Sequence, residues 1–140
     1  MTHQNPLSHF LAVCSKPGMF LSSQRYEAVC AYLIGYDSAA AGGVLRGFRE
    51  YVLFRHFDAW KNLPWWLLIR CAAVPEADLA APVEGRDDAL LRARLAEELR
   101  EFSSIVEAGG LEKIYWEYSH WLSARSDSEA RRLFKSLTSE

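Results

Sequence analysis

Residues 87–110 read DDALLRARLAEELREFSSIVEAGG, and this stretch decides the fold class. Leu91, Leu95, Leu99, Phe102 and Val106 recur at three- and four-residue steps, the spacing that lines side chains along one face of an α-helix. Arg94, Glu97, Arg100 and Glu101 fall on the opposite, wet side. Asp87 or Asp88 suits the helix start, and Gly109-Gly110 supplies a stop.

The same period continues outward in both directions. Downstream, Leu111, Ile114, Tyr115, Tyr118 and Leu122 mark a further helix. Ser126-Asp127-Ser128-Glu129 resembles a capping box, which predicts a last helix with Ala130, Leu133, Phe134 and Leu137 on its face. Upstream, PEADLAAPVEGR (75–86) reads as a loop because it holds two prolines and a glycine. Before it, Trp65, Leu68 and Ile69 form the core face of a short helix, with Pro64 in its first turn and Asn62 as cap. Residues 44–54 carry Val44, Leu45, Phe48, Tyr51, Val52 and Phe54. Tyr51 to Phe54 is rich in strand-forming residues, but Arg46, Arg49 and Glu50 sit at non-core positions of a helical period, which favours helix.

Closer to the N-terminus, Tyr26, Val29, Cys30 and Leu33 make another helical stripe, which Ser22 or Ser23 is placed to cap. Asp37 to Gly43 extends this helix before breaking it. Residues 7–14 form one or two helical turns, and Pro17-Gly18 fits the centre of a type II turn with Gly18 at positive φ. No hairpin signal or internal repeat is visible. The sequence therefore predicts an all-α fold: one compact domain over 1–140, of about six or seven short helices, with 1–6 flexible and 75–86 a loop.

Composition limits the functions open to such a domain. The 140 residues carry 50% hydrophobic and 24% charged residues, as a globular domain does. A net charge of −2 gives no general attraction to nucleic acid or to an anionic membrane, so neither is expected as a partner. No basic and apolar leader is evident, and no apolar run approaches the length of a membrane span, about 20 residues. Cys14, Cys30 and Cys71 are dispersed, as in proteins of reducing compartments. A cytoplasmic location follows as the expectation. The charge is unevenly spread: residues 76–117 hold eleven acids against five bases. Such a run serves either as a solvated face or as a docking surface for a basic partner.

No catalytic constellation is present in the sequence. The histidines at 3, 9, 56 and 120 lack helical metal-ligand spacing. His56 and Asp58 are close enough in sequence for acid–base work, but a packed or surface histidine is the better reading of them. Cys14 near His9 lies in an apolar segment, which suits packing better than a nucleophile. No phosphate loop or nucleophile elbow is present. The sequence thus predicts no enzyme, cofactor or metal. The five tryptophans are abundant for a small core. Trp65 and Trp66 point about 100° apart on a helix, so both need not be buried. Some of these rings can fill gaps between helices, and others can anchor a binding surface.

Two resemblances attach to Lys16-Pro17-Gly18-Met19-Phe20-Leu21. The first, to the ATPase module of the gyrase B subunit, stops after five residues. The helix that follows holds Glu27 but no asparagine at the needed place, and no nucleotide glycine loop comes after it, so this resemblance is rejected. The second adds Leu33-Ile34-Gly35-Tyr36-Asp37-Ser38-Ala39. In these two motifs, and in the order of the aromatic, tryptophan-bearing and acidic segments through residue 103, the chain resembles small all-helical bacterial proteins associated with toxin systems as immunity proteins. It differs in a longer loop at 75–86 and in an extension past Gly110.

That resemblance implies a protein that binds and neutralises a cognate toxin domain by direct contact. The expected partner-binding residues are Glu76, Asp78, Glu84, Asp87 and Asp88 in the acidic loop and helix start, with Trp66 and Trp116 as aromatic anchors. The Pro17-Gly18 turn is expected to be a structural corner. The alternative is a small-molecule-binding or regulatory helical module with an aromatic pocket made by Trp65, Tyr115 and Trp116.

Overall fold

The computed structural model describes residues 6–138; for 126–134 and 136–138 the description extends to the backbone only. Five α-helices and one 3₁₀ turn follow one another: α1 (Pro6–Ser15), the turn Pro17–Met19, α2 (Tyr26–Ala39), α3 (Phe48–His56), α4 (Trp65–Ala73) and α5 (Gly85–Thr138). No strand occurs among the described residues, and segment 48–56 is helix. Also among them, no helix is long and apolar enough to cross a membrane.

Five helices are fewer than the six or seven expected, because α5 absorbs three predicted units. Gly110, at φ 71° and ψ 177°, does part the first of these units from the second at the expected Gly109-Gly110 stop, so α5 is two helices joined at a kink. The backbone then runs helically through 126–129, so no new helix opens there. Side chains 130, 133, 134 and 137 lie outside the described residues. At the other end, Pro6 opens α1, where its missing N–H costs nothing; residues 1–5 also lie outside the description.

The long helix is the spine. It packs chiefly against α3 and α1, then against α4 and α2. Leu91, Leu95, Leu99 and Phe102 are buried along its first arm and Ile114 and Trp121 along its second. They meet Phe10 and Val13 of α1, Val29 and Leu33 of α2, Phe48, Tyr51 and Val52 of α3, and Leu68 and Ile69 of α4 in one core. Phe102 touches the rings of both Phe48 and Tyr51 at centroid distances of 5.2 and 5.6 Å. Burying each such aromatic contributes roughly 1.5–3 kcal/mol.

The start of α2 is fixed by a long-range bond and its end by local ones. The first residue of α2, Tyr26, donates its N–H to Asp88 Oδ1 of α5 at 2.6 Å. Ser23 Oγ instead accepts from Arg25 N–H at 3.3 Å, and the capping role expected of Ser22 or Ser23 passes to Asp88. At its far end α2 stops on Ala41 at φ 56°, with the Gly42 and Ala41 N–H groups returning to the Asp37 and Ser38 carbonyls, a Schellman stop. Asp37 Oδ1 then accepts from Val44 and Leu45 N–H at 3.0 and 2.9 Å and closes the loop to α3. Gly47 begins α3 at φ 85°, and a Cβ there would lie 3.2 Å from Leu111 and 3.3 Å from Ile114. Pro64 is the residue before α4, not its first turn.

Candidate functional site

The segments 16–21 and 33–39 meet at one surface. Pro17 is buried and makes the expected corner, but as a 3₁₀ turn: Phe20 and Leu21 N–H both return to the Pro17 carbonyl, and Gly18 has no positive φ. A tight 3₁₀ turn projects the next side chains outward. Met19 is therefore 74% exposed and Phe20 42%. Phe20 lies edge-on to His9 at 5.3 Å, and His9 contacts Tyr36 at 5.3 Å and Tyr32 at 5.9 Å. His9 Nε2 and the Tyr32 hydroxyl share a hydrogen bond of 2.8 Å. Beneath them, Phe10 is fully buried and meets Tyr36 edge-on at 5.3 Å. The result is a braced aromatic platform that ends in an exposed methionine.

On the other side of α2 lies a groove of about 470 Å³, bounded by α2, α4 and the 79–83 loop. At 100° per residue, Tyr32 and Tyr36 face the platform while Ala31 and Ile34 face the groove. Gly35 falls on the ridge between them, with open space where a Cβ would stand.

The loop beyond the groove is pinned from beneath. Arg70, only 7% exposed, donates to the Ala81, Asp78 and Pro82 carbonyls at 2.8, 3.1 and 3.3 Å. Glu27 accepts the Val83 N–H at 3.0 Å, and Arg25 donates to the Val83 carbonyl at 3.0 Å. The predicted acids ride on this frame in different ways. Glu76, Asp78 and Glu84 are exposed. Asp78 Oδ1 holds the Ala80 N–H at 3.0 Å, and Arg86 joins Glu84 at 2.7 Å and Asp87 at 3.8 Å. Asp88 is turned inward, capping α2 and pairing with Arg92 at 3.1 Å.

The predicted aromatic residues separate. Trp66 is half-buried in the groove wall, while its neighbour Trp65 sits in the core against Phe48. Trp116 is 62% exposed on the second arm of α5, with its ring 3.9 Å from that of His120. It lines neither the groove nor the platform. Trp65, Tyr115 and Trp116 do not make a pocket together: the first is buried and the other two are exposed. The groove uses Trp66 instead.

The suggested titratable pairs also resolve differently. His56 binds Glu98 Oε1 at 2.7 Å, whereas Asp58 is exposed and faces Arg125 at 3.8 Å. Arg94 joins the same Glu98 oxygen at 3.1 Å. Burial pushes the Glu98 carboxyl up, but the His56 and Arg94 bonds and charges outweigh it and hold the pKa below the ordinary value. This cluster clamps α3 to α5. Beside it the Tyr51 phenol, pushed up by burial, donates to Glu101 at 3.0 Å. Cys14, the other suggested catalytic group, is pushed up to about 12 by burial and stays a neutral thiol at pH 7.

The aromatic platform is the feature that sequence reading missed. Helical spacing places Tyr32 and Tyr36 on one face, but the outward turn of Met19 and Phe20 depends on which turn Pro17-Gly18 adopts. No family model, curated protein or solved structure matches this chain.

Proposed function

We propose that this chain is an immunity protein that binds a cognate bacterial toxin domain and neutralises it by contact, without catalysis, in the cytoplasm. One observation carries the reading: the two motifs that resemble the immunity proteins spend stability on a single surface. Met19, Phe20 and Tyr36 leave large apolar area in water, and Gly35 weakens α2 by about 1 kcal/mol relative to alanine. Phe20 and Tyr36 rest on His9 and Phe10 with one face, and among the described residues nothing lies within 4 Å of the place a Gly35 Cβ would take. Exposed aromatic and methionine side chains on a rigid base are what binding hot spots are made of. Gly35 lets a partner's backbone approach the ridge of α2 closely.

Across that ridge, Glu76, Asp78 and Glu84 stand on a loop held in place by Arg70, Glu27 and Arg25. Acids fixed in this way steer a basic partner and set its orientation. The test is growth rescue: the chain is co-expressed with the toxin-like domain encoded beside its own gene. Restored growth supports the reading, and the failure of the chain to protect against any neighbouring toxic domain overturns it.

A further inference from the structure

Arg70 poses a problem that the partner-binding surface leaves unsolved. It is 7% exposed, yet among the described residues its guanidinium meets only backbone carbonyls and no carboxylate. Buried cations are nearly always paired with an anion. Three of the five guanidinium N–H groups are used by the Ala81, Asp78 and Pro82 carbonyls, which leaves two donors. The same side chain lines the groove of about 470 Å³ between α2, α4 and the loop, a volume in the range of small-ligand sites, roughly 300–1,000 Å³.

Apart from Glu27, the other groove walls are apolar or neutral. Ala31, Ile34, Leu67 and Leu79 supply aliphatic surface and Trp66 a ring. The Cys30 thiol is pushed up to about 12 by burial, and the Tyr26 hydroxyl is spent on the Trp66 carbonyl at 2.8 Å. Glu27 is the one acid in the lining; it is half-exposed, takes the Val83 N–H and has Arg25 at 3.7 Å. With Arg25 offsetting Glu27, the uncompensated charge at the groove is that of Arg70.

We infer that this groove binds a small amphipathic carboxylate, with its apolar body along Ile34, Leu67 and Trp66 and its acid group on Arg70. The inference shares the Arg70-held loop with the toxin reading but asks for no protein partner, so its test in the isolated chain can fail without touching that reading.

Calorimetric titration with decanoate tests it, with decylamine as the control of equal chain length and opposite charge. The expected result is saturable one-to-one binding of decanoate and at least about tenfold weaker binding of decylamine, the scale of one charged hydrogen bond. Ala31→Trp fills the groove from the exposed side of α2 and leaves Arg70 and its carbonyls in place, so it should weaken decanoate at least tenfold as well. Arg70→Gln, where the variant folds, should erase the preference for acid over amine. No saturable uptake of decanoate, equal affinity for decylamine, or undiminished uptake by the Ala31→Trp variant would each overturn the proposal.

Discussion

The carboxylate of Asp88, near the start of α5, accepts the backbone N–H of Tyr26, the first residue of α2, at 2.6 Å. A residue of α5 therefore caps α2 across 62 residues of sequence. It joins the start of α2 to α5 beside the buried stripe of Tyr26, Val29, Cys30 and Leu33. Asp88→Ala should lower unfolding free energy by about 1–2 kcal/mol, the usual cost of a lost N-cap. Asp88→Asn, which keeps the acceptor, should recover most of that loss. Urea denaturation followed by circular dichroism measures both.

Glu98 makes stability depend on acid pH. Its carboxyl is 4% exposed and held below its ordinary pKa by His56 and Arg94 against the opposing effect of burial. A group whose pKa is lower folded than unfolded stabilises the fold above the unfolded value, about 4.3, and that contribution disappears as pH falls through the folded value. Glu98→Gln should therefore flatten the decline in stability between pH 6 and pH 3. It should also destabilise at pH 7 by about 1–3 kcal/mol, since His56 and Arg94 lose a charged acceptor. A slope equal to that of the unmodified chain contradicts the assignment.

Gly47 is required twice over. Its φ of 85° disfavours any side chain, and a Cβ would press on Leu111 and Ile114 at 3.2 and 3.3 Å. Gly47→Ala should cost about 1–3 kcal/mol, as strain and overpacking do. Thermal unfolding reads the loss.

Gly35 should behave in the opposite way. A Cβ there meets open space within a helix, so Gly35→Ala should stabilise the domain by up to about 1 kcal/mol. If the ridge of α2 is the contact surface, the same variant should bind the partner less tightly. Gain in stability with loss of affinity is the signature of a site retained for binding.

Much of the fold was legible because helical burial repeats at a fixed period. Leu91, Leu95, Leu99 and Phe102, like Tyr26, Val29, Cys30 and Leu33, are buried as their spacing predicts. Residues 48–54 are helical despite their strand-rich composition, because period outweighed propensity there. What stayed hidden depends on partners distant in sequence. Asp88 looks like a surface acid until α2 is placed beside it. Arg70 looks like a solvated helix terminus until the loop folds over it. The break expected at Gly109-Gly110 is present, since Gly110 leaves helical dihedrals and parts two helices, whereas the local signal at Ser126 was overridden by a helix that runs through it.

The central claim is that the surface around α2, with Met19 at its edge, contacts a toxin domain. The most direct measurement is the affinity of that domain for the unmodified chain and for Met19→Asp, at a side chain 74% exposed. The fold should tolerate this change, and circular dichroism checks that it does. Kd for the variant should rise at least about tenfold, or roughly 1.4 kcal/mol. An unchanged Kd would contradict it.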